Sequence, residues 1–96
     1  MDNVDLIQAM RQEILEISHK YGGRNVRLFG SVARSQAKRG SDLDLLVEMK
    51  PGSSLLDVVA IKQDLEDLLG CKVHVVTEDA LSPYIRAEVI KQSVSL

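Results

Sequence analysis

Residues 29–48 read FGSVARSQAKRGSDLDLLVE, and the second half of that stretch decides how the chain folds. In DLDLLVEM (42–49), Leu43, Leu45 and Val47 alternate with Asp42, Asp44, Leu46 and Glu48, so a strand buries the first set and turns the second outward. Two aspartates then project from one strand face. Such a pair repels itself unless something positive sits between the carboxylates.

Working outward, NVRLF (25–29) also alternates and ends at Gly30, as a half-buried strand would, and Ser31 to Ala37 is a short turn or helix before the turn signal Arg39-Gly40-Ser41. The short link lets the two strands be neighbours, which holds Gly30 and Ser31 near Asp42 and Asp44. Upstream, Val4, Ile7, Met10, Ile14 and Ile17 fall at steps of three and four, which predicts a helix over 3–20, with Asn3 as its cap and Gly22-Gly23 as its stop. Downstream, Lys50-Pro51-Gly52-Ser53 is a turn. Ser54 to Asp57 fits a capping box opening a helix that runs to Leu69 and closes at Gly70, with Leu55, Val58, Ile61, Leu65 and Leu68 inward. KVHVV (72–76) predicts a third strand, and Ser82-Pro83 starts a last helix with Ile85 and Val89 inward. The order α-β-β-α-β-α predicts an α/β (α+β) fold, a small mixed sheet of three to four strands flanked by helices, with a parallel crossover between the second and third strands.

Composition narrows the function. A chain of 96 residues is expected to form one domain, 1–96, around one core. With one Phe, two Tyr and no Trp that core is aliphatic, and stacking on nucleic-acid bases has no support. A net charge of −2 argues against a general nucleic-acid binder. The charge is segregated, however: Arg24 to Ser41 holds five basic residues and no acid, whereas Asp42 to Asp67 holds seven acids and two lysines. Blocks of this kind suit either a solvated surface or an anionic substrate carried with a cation. The single Cys71 forms no internal disulfide, no Cys/His cluster has zinc spacing, and neither a signal peptide nor a membrane-length apolar run is present, so a cytoplasmic, non-membrane location is expected.

The chemistry converges on one constellation. Carboxylates at i and i+2 on a strand are close enough to share divalent cations, and hard oxygen ligands suit Mg²⁺ or Mn²⁺ completed by substrate phosphates. Gly30 admits a phosphate close to the backbone, and Ser31 adds a hydroxyl and the start of a helix. The bland alternative, in which Asp42 is a turn residue, Asp44 a solvent-facing one and Gly30 a strand terminator, leaves the spacing to chance.

Gly30-Ser31, a ten-residue gap and Asp42-x-Asp44 resemble the motif of the DNA polymerase β-like nucleotidyltransferase superfamily, and within it the minimal nucleotidyltransferases paired with HEPN-domain proteins. LFGSVAR, SDLDLLVE, SLLDVV and GCKVHVV follow that family in order and spacing, so nearly the whole chain is covered. The resemblance implies a nucleotidyltransferase fold. It also implies ATP or another nucleoside triphosphate as substrate, metal ligation by Asp42 and Asp44, and triphosphate binding by Gly30 and Ser31. Arg34 stands where the family commonly carries an arginine that screens phosphate charge; it equally fits a surface arginine paired with Asp42 or Glu48.

One position departs from the family. Where a third carboxylate is usual on the third strand, this chain reads Val73-His74-Val75-Val76, with His74 expected outward. His74 could act as general base, could favour a softer metal such as Mn²⁺, or could be a tolerated polar residue in a subunit that has lost or weakened catalysis. His19, near a helix C-terminus, is given no catalytic role. The resemblance therefore implies an antitoxin that binds a HEPN ribonuclease toxin and neutralises it, either by placing AMP on a toxin tyrosine or by complex formation alone. Transfer to a small molecule such as an aminoglycoside is a third reading, for which 96 residues leave no acceptor domain. Homo- or hetero-oligomerisation is left open.

Overall fold

The computed structural model of the protein describes residues 3–30 and 42–96. The predicted turn at Arg39-Gly40-Ser41, the segment from Ser31 to Ala37, and the site positions Ser31 and Arg34 lie outside the described residues, as do the side chains of Asn3 and Val4.

Helices α1 (Asn3–Ala9) and α2 (Arg11–Lys20) replace the single helix expected over 3–20. Met10 between them leaves helical angles, at φ −107° and ψ 12°, yet the bonds from Met10 N to Leu6 O (3.0 Å) and from Ile14 N to Met10 O (2.9 Å) bridge the junction. Ile7 and Ile14, two turns apart, therefore still enter the same core. Ser18 is also fully buried, and its hydroxyl donates to Ile14 O at 2.8 Å, which satisfies a polar group the apolar pattern did not mark as inward.

Strand β1 (Gly23–Phe29) turns back antiparallel onto β2 (Leu43–Met49), and β3 (Val73–Thr77) joins β2 in parallel after helix α3 (Leu55–Leu69). A 3₁₀ turn (Glu78–Ala80) and helix α4 (Pro83–Gln92) lead to β4 (Val94–Ser95), which pairs antiparallel with Arg27 and Leu28. The sheet order is β3-β2-β1-β4, mixed as expected. A bulge between Arg24 and Arg27, with Asn25 at φ 51°, shifts the register of β1 so that Val26 and Leu28 both face the core.

The core lies on one face of the sheet. Val26, Leu28, Leu43, Leu45, Val47 and Val73 meet Ile7, Ile14, Ile61, Leu65 and Leu69 from the helices. Helix α3 begins as its sequence implies, with Asp57 Oδ2 accepting the Ser54 N–H at 2.9 Å, and it ends at Gly70 (φ 68°), whose N–H bonds Glu66 O at 2.9 Å. Leu55 corrects the predicted inner face of this helix: it is 77% exposed, and the buried stripe runs through Ile61, Leu65 and Leu69 instead. Leu45, fully buried at the sheet centre, is expected to cost about 2–5 kcal/mol when truncated to alanine. Because such a domain holds only about 5–15 kcal/mol in total, Leu45→Ala is expected to lower the thermal unfolding midpoint by roughly 10 °C or more. A shift within the scatter of surface mutants would mean that the core is not organised around β2. Among the described residues no helix is long and apolar enough to cross a membrane.

Candidate functional site

The helices of the core leave the opposite sheet face to a different set of side chains. Arg27 and Phe29 on β1 share that face with Asp44 and Leu46 on β2, because Phe29 pairs with Asp44 and Arg27 with Leu46. On the other side of β2, His74 is the partner of Asp44 in the parallel ladder, and Val76 the partner of Leu46. Leu46 is fully buried although it lies on this outward face, so the face is covered around Leu46 and opens toward the start of β2. Two anchors hold the start of β3 in place. Leu43 N donates to Lys72 O at 2.9 Å, and Val73 N donates to Glu66 Oε2 at 3.0 Å, while Lys62 pairs with Glu66 at 3.0 Å.

At that open end four sequence-predicted site residues come together. Asp42 stands one residue before β2 and Asp44 one residue inside it. His74 Nε2 is 2.9 Å from Asp42 Oδ2, with both side chains 49% exposed. Gly30 follows the last residue of β1 at φ +74°, and a methyl group in place of its hydrogen would collide with Asp44 Oδ2. Only glycine fits there on both counts, since the left-handed backbone disfavours a Cβ and the carboxylate fills its space. The expected closeness of Gly30 to the aspartates is thus seen at Asp44, whereas the positions of Ser31 and Arg34 fall outside the described residues. Arg27 is a cation on this face that sequence patterning did not single out; its guanidinium donates to Ser93 Oγ at 3.3 Å. Its polar, alternating place in NVRLF was the available signal.

The electrostatics of Asp44 fit a cation site. Burial pushes its carboxyl above the usual aspartate range; His74 pulls it back down, and the neighbouring Asp42 adds to the rise. A carboxyl with a raised folded-state pKa favours the fold when protonated, and that contribution is lost as the pH rises through the folded pKa. At neutral pH the ionised Asp44 therefore works against the metal-free fold. Asp44→Asn is expected to raise the thermal unfolding midpoint of the metal-free protein at pH 7, with the gain shrinking as the pH falls toward 4. An unchanged or lowered midpoint at pH 7 would contradict this placement of Asp44. Burial, followed by Asp42 and Glu66, also raises the thiol of Cys71, a free cysteine behind the pair.

Among the described residues no three His, Cys, Asp or Glu side chains already form a metal cage. The two carboxylates, of Asp42 and Asp44, instead fit a divalent ion that takes its remaining ligands from phosphate and water. A cleft of about 490 Å³ lies at the other end of β2, lined by Arg24, Glu48, Met49, Leu55, Glu78 and Asp79 among others. Its walls offer no glycine-backed carboxylate pair.

This arrangement of strands and residues has relatives. A family model for the nucleotidyltransferase domain matches residues 10–96. The chain belongs to the nucleotidyltransferase family. A solved structure described as a minimal nucleotidyltransferase superposes with a TM-score of 0.90 at 42% identity, covering 100% of this chain and 97% of that one. A protein of Thermococcus cleftensis named as a protein adenylyltransferase is 35% identical over 79 residues, 82% of this chain and 80% of its own length. At the level of fold alone, the nucleotidyltransferase domain also matches a structure of the tri-AMPylated Shewanella oneidensis HEPN toxin in complex with its MNT antitoxin. That match has a TM-score of 0.69 and 19% identity, covering 92% of this chain and 69% of that one.

Proposed function

We propose that this chain is a minimal nucleotidyltransferase antitoxin that binds a HEPN ribonuclease toxin and neutralises it by transferring AMP from ATP to a toxin tyrosine. The observation that carries this reading is the packing of Gly30 against Asp44, with Asp42 two residues upstream on the same side. The naming of a relative as a protein adenylyltransferase and of a fold neighbour as the antitoxin partner of an AMPylated HEPN toxin supports the acceptor.

In this reaction the tyrosine oxygen forms a bond to the α-phosphorus of ATP and the bond to pyrophosphate breaks. Asp42 and Asp44 would hold the divalent ion, Mg²⁺ or Mn²⁺, which when bound neutralises phosphate charge as a Lewis acid. Gly30 lets the triphosphate approach the backbone beside them. Ser31 and Arg34, assigned from the family motif, would bind the same phosphates. His74 stands at the family's third-carboxylate position, on the side of Asp44 away from β1. Leu55 and Leu56 on α3 and Tyr84 on α4, exposed to 77%, 78% and 95%, offer apolar surface to a protein partner. The cytoplasm, where ATP is available and Cys71 stays reduced, suits this chemistry.

Incubating the chain with its HEPN partner, ATP and Mg²⁺ or Mn²⁺ and reading the partner's intact mass tests the proposal. One or more added AMP groups are expected; an unchanged mass with every metal would reject transfer. A second reading, neutralisation by complex formation alone, is favoured by one observation: His74 Nε2 occupies Asp42 Oδ2, at a position where the family resemblance implies a carboxylate. It requires that Asp42→Asn with Asp44→Asn keep full neutralisation.

A further inference from the structure

His74 is more than a missing carboxylate. Its Nε2 lies 2.9 Å from Asp42 Oδ2, and its Cα is paired with that of Asp44. Two donors on neighbouring corners of an octahedral ion with bonds of about 2.1 Å stand about 3.0 Å apart. The nitrogen and oxygen therefore already have the separation that a shared ion would impose.

The pair is also held in place before any ion arrives. The Glu66 carboxylate accepts the N–H of Val73, the residue before His74, and the Leu43 N–H bonds Lys72 O, so both strands are tied at the residues flanking the pair. The half-exposed side chains are open to an ion from solvent. A neutral imidazole is a good ligand for Mn²⁺ and the metals after it, and a poor one for Mg²⁺, which prefers oxygen.

Resting on the metal-dependent reading above, we infer that His74 is a metal ligand of this site. Its Nε2 and Asp42 Oδ2 bind one divalent ion together, and this oxygen–nitrogen set shifts the preference from Mg²⁺ toward Mn²⁺. The family's usual all-carboxylate set would lack that preference. A His74 that served only as a general base would leave Mn²⁺ without a nitrogen ligand, because a ring nitrogen cannot take a proton and hold an ion at once.

Pulsed electron paramagnetic resonance of the full chain with Mn²⁺, with and without ATP, tests the inference directly. A ¹⁴N coupling from a histidine ring is expected, changing to a ¹⁵N pattern when histidine alone is ¹⁵N-labelled, which needs no variant and excludes adenine nitrogen. The coupling is expected to vanish in His74→Ala, whereas loss in a His19 variant would not occur. In competition titrations, His74→Asp is expected to narrow the Mn²⁺ over Mg²⁺ preference by about tenfold. Mn²⁺ that binds with ATP but shows no histidine coupling would overturn the role of His74 and leave the metal-dependent reading standing. An absence of Mn²⁺ binding even with ATP would overturn both.

Discussion

Replacing Gly30 by alanine is expected to weaken binding of ATP with its metal by at least tenfold and to destabilise the chain. Two physical terms add at this residue. The backbone at φ +74° charges a Cβ about 1–2 kcal/mol in the left-handed region, and the new methyl would meet Asp44 Oδ2. The carboxylate must then swing away, and with it goes half of the aspartate pair. Gly70→Ala separates the two terms, because Gly70 has a similar φ of +68° but nothing within 4 Å of where its Cβ would stand. Both variants are expected to lose stability in thermal or denaturant unfolding, Gly30→Ala more than Gly70→Ala because only it adds the clash with Asp44. Only Gly30→Ala is expected to lose ATP and metal in calorimetric titration. Equal binding by the two would mean that Gly30 has no part in a nucleotide site.

Asp42→Asn combined with Asp44→Asn is the second large effect. The amides keep shape but remove both charges that would hold the ion. Lewis-acid stabilisation of phosphoryl oxygens is worth several kcal/mol, and each 1.36 kcal/mol is a factor of ten in rate. AMP transfer is therefore expected to fall by about a thousandfold or more, followed by intact mass of the HEPN partner over time. Neutralisation of the toxin is expected to fall with it. If transfer is lost but neutralisation is kept, the chain works by complex formation, and the aspartates are remnants.

The site was legible in the sequence where it depends on local pattern. Alternation in DLDLLVEM marked Asp42 and Asp44 as neighbours on one face, and the pairing of Phe29 with Asp44 places Gly30 beside them. What sequence alone did not yield depends on pairing between distant segments. The contact of His74 with Asp42 follows from the parallel register Asp44 to His74, which no local period encodes. Strand β4 has two residues, too few for any pattern, and exists because Val94 and Ser95 pair with β1. Leu55 fits the apolar stripe of α3 yet stays exposed, at the edge of an open cleft beside the end of β2. The bulge at Asn25 and the burial of Ser18 likewise answer to neighbours in space.

One crystal structure of the chain with Mn²⁺ and a non-hydrolysable ATP analogue tests the central claim most directly. The anomalous signal of the ion is expected between Asp42 and Asp44, with the triphosphate running past Gly30. An ion remote from both carboxylates, or a nucleotide seated in the cleft between Arg24 and Asp79 at the other end of β2, would contradict it.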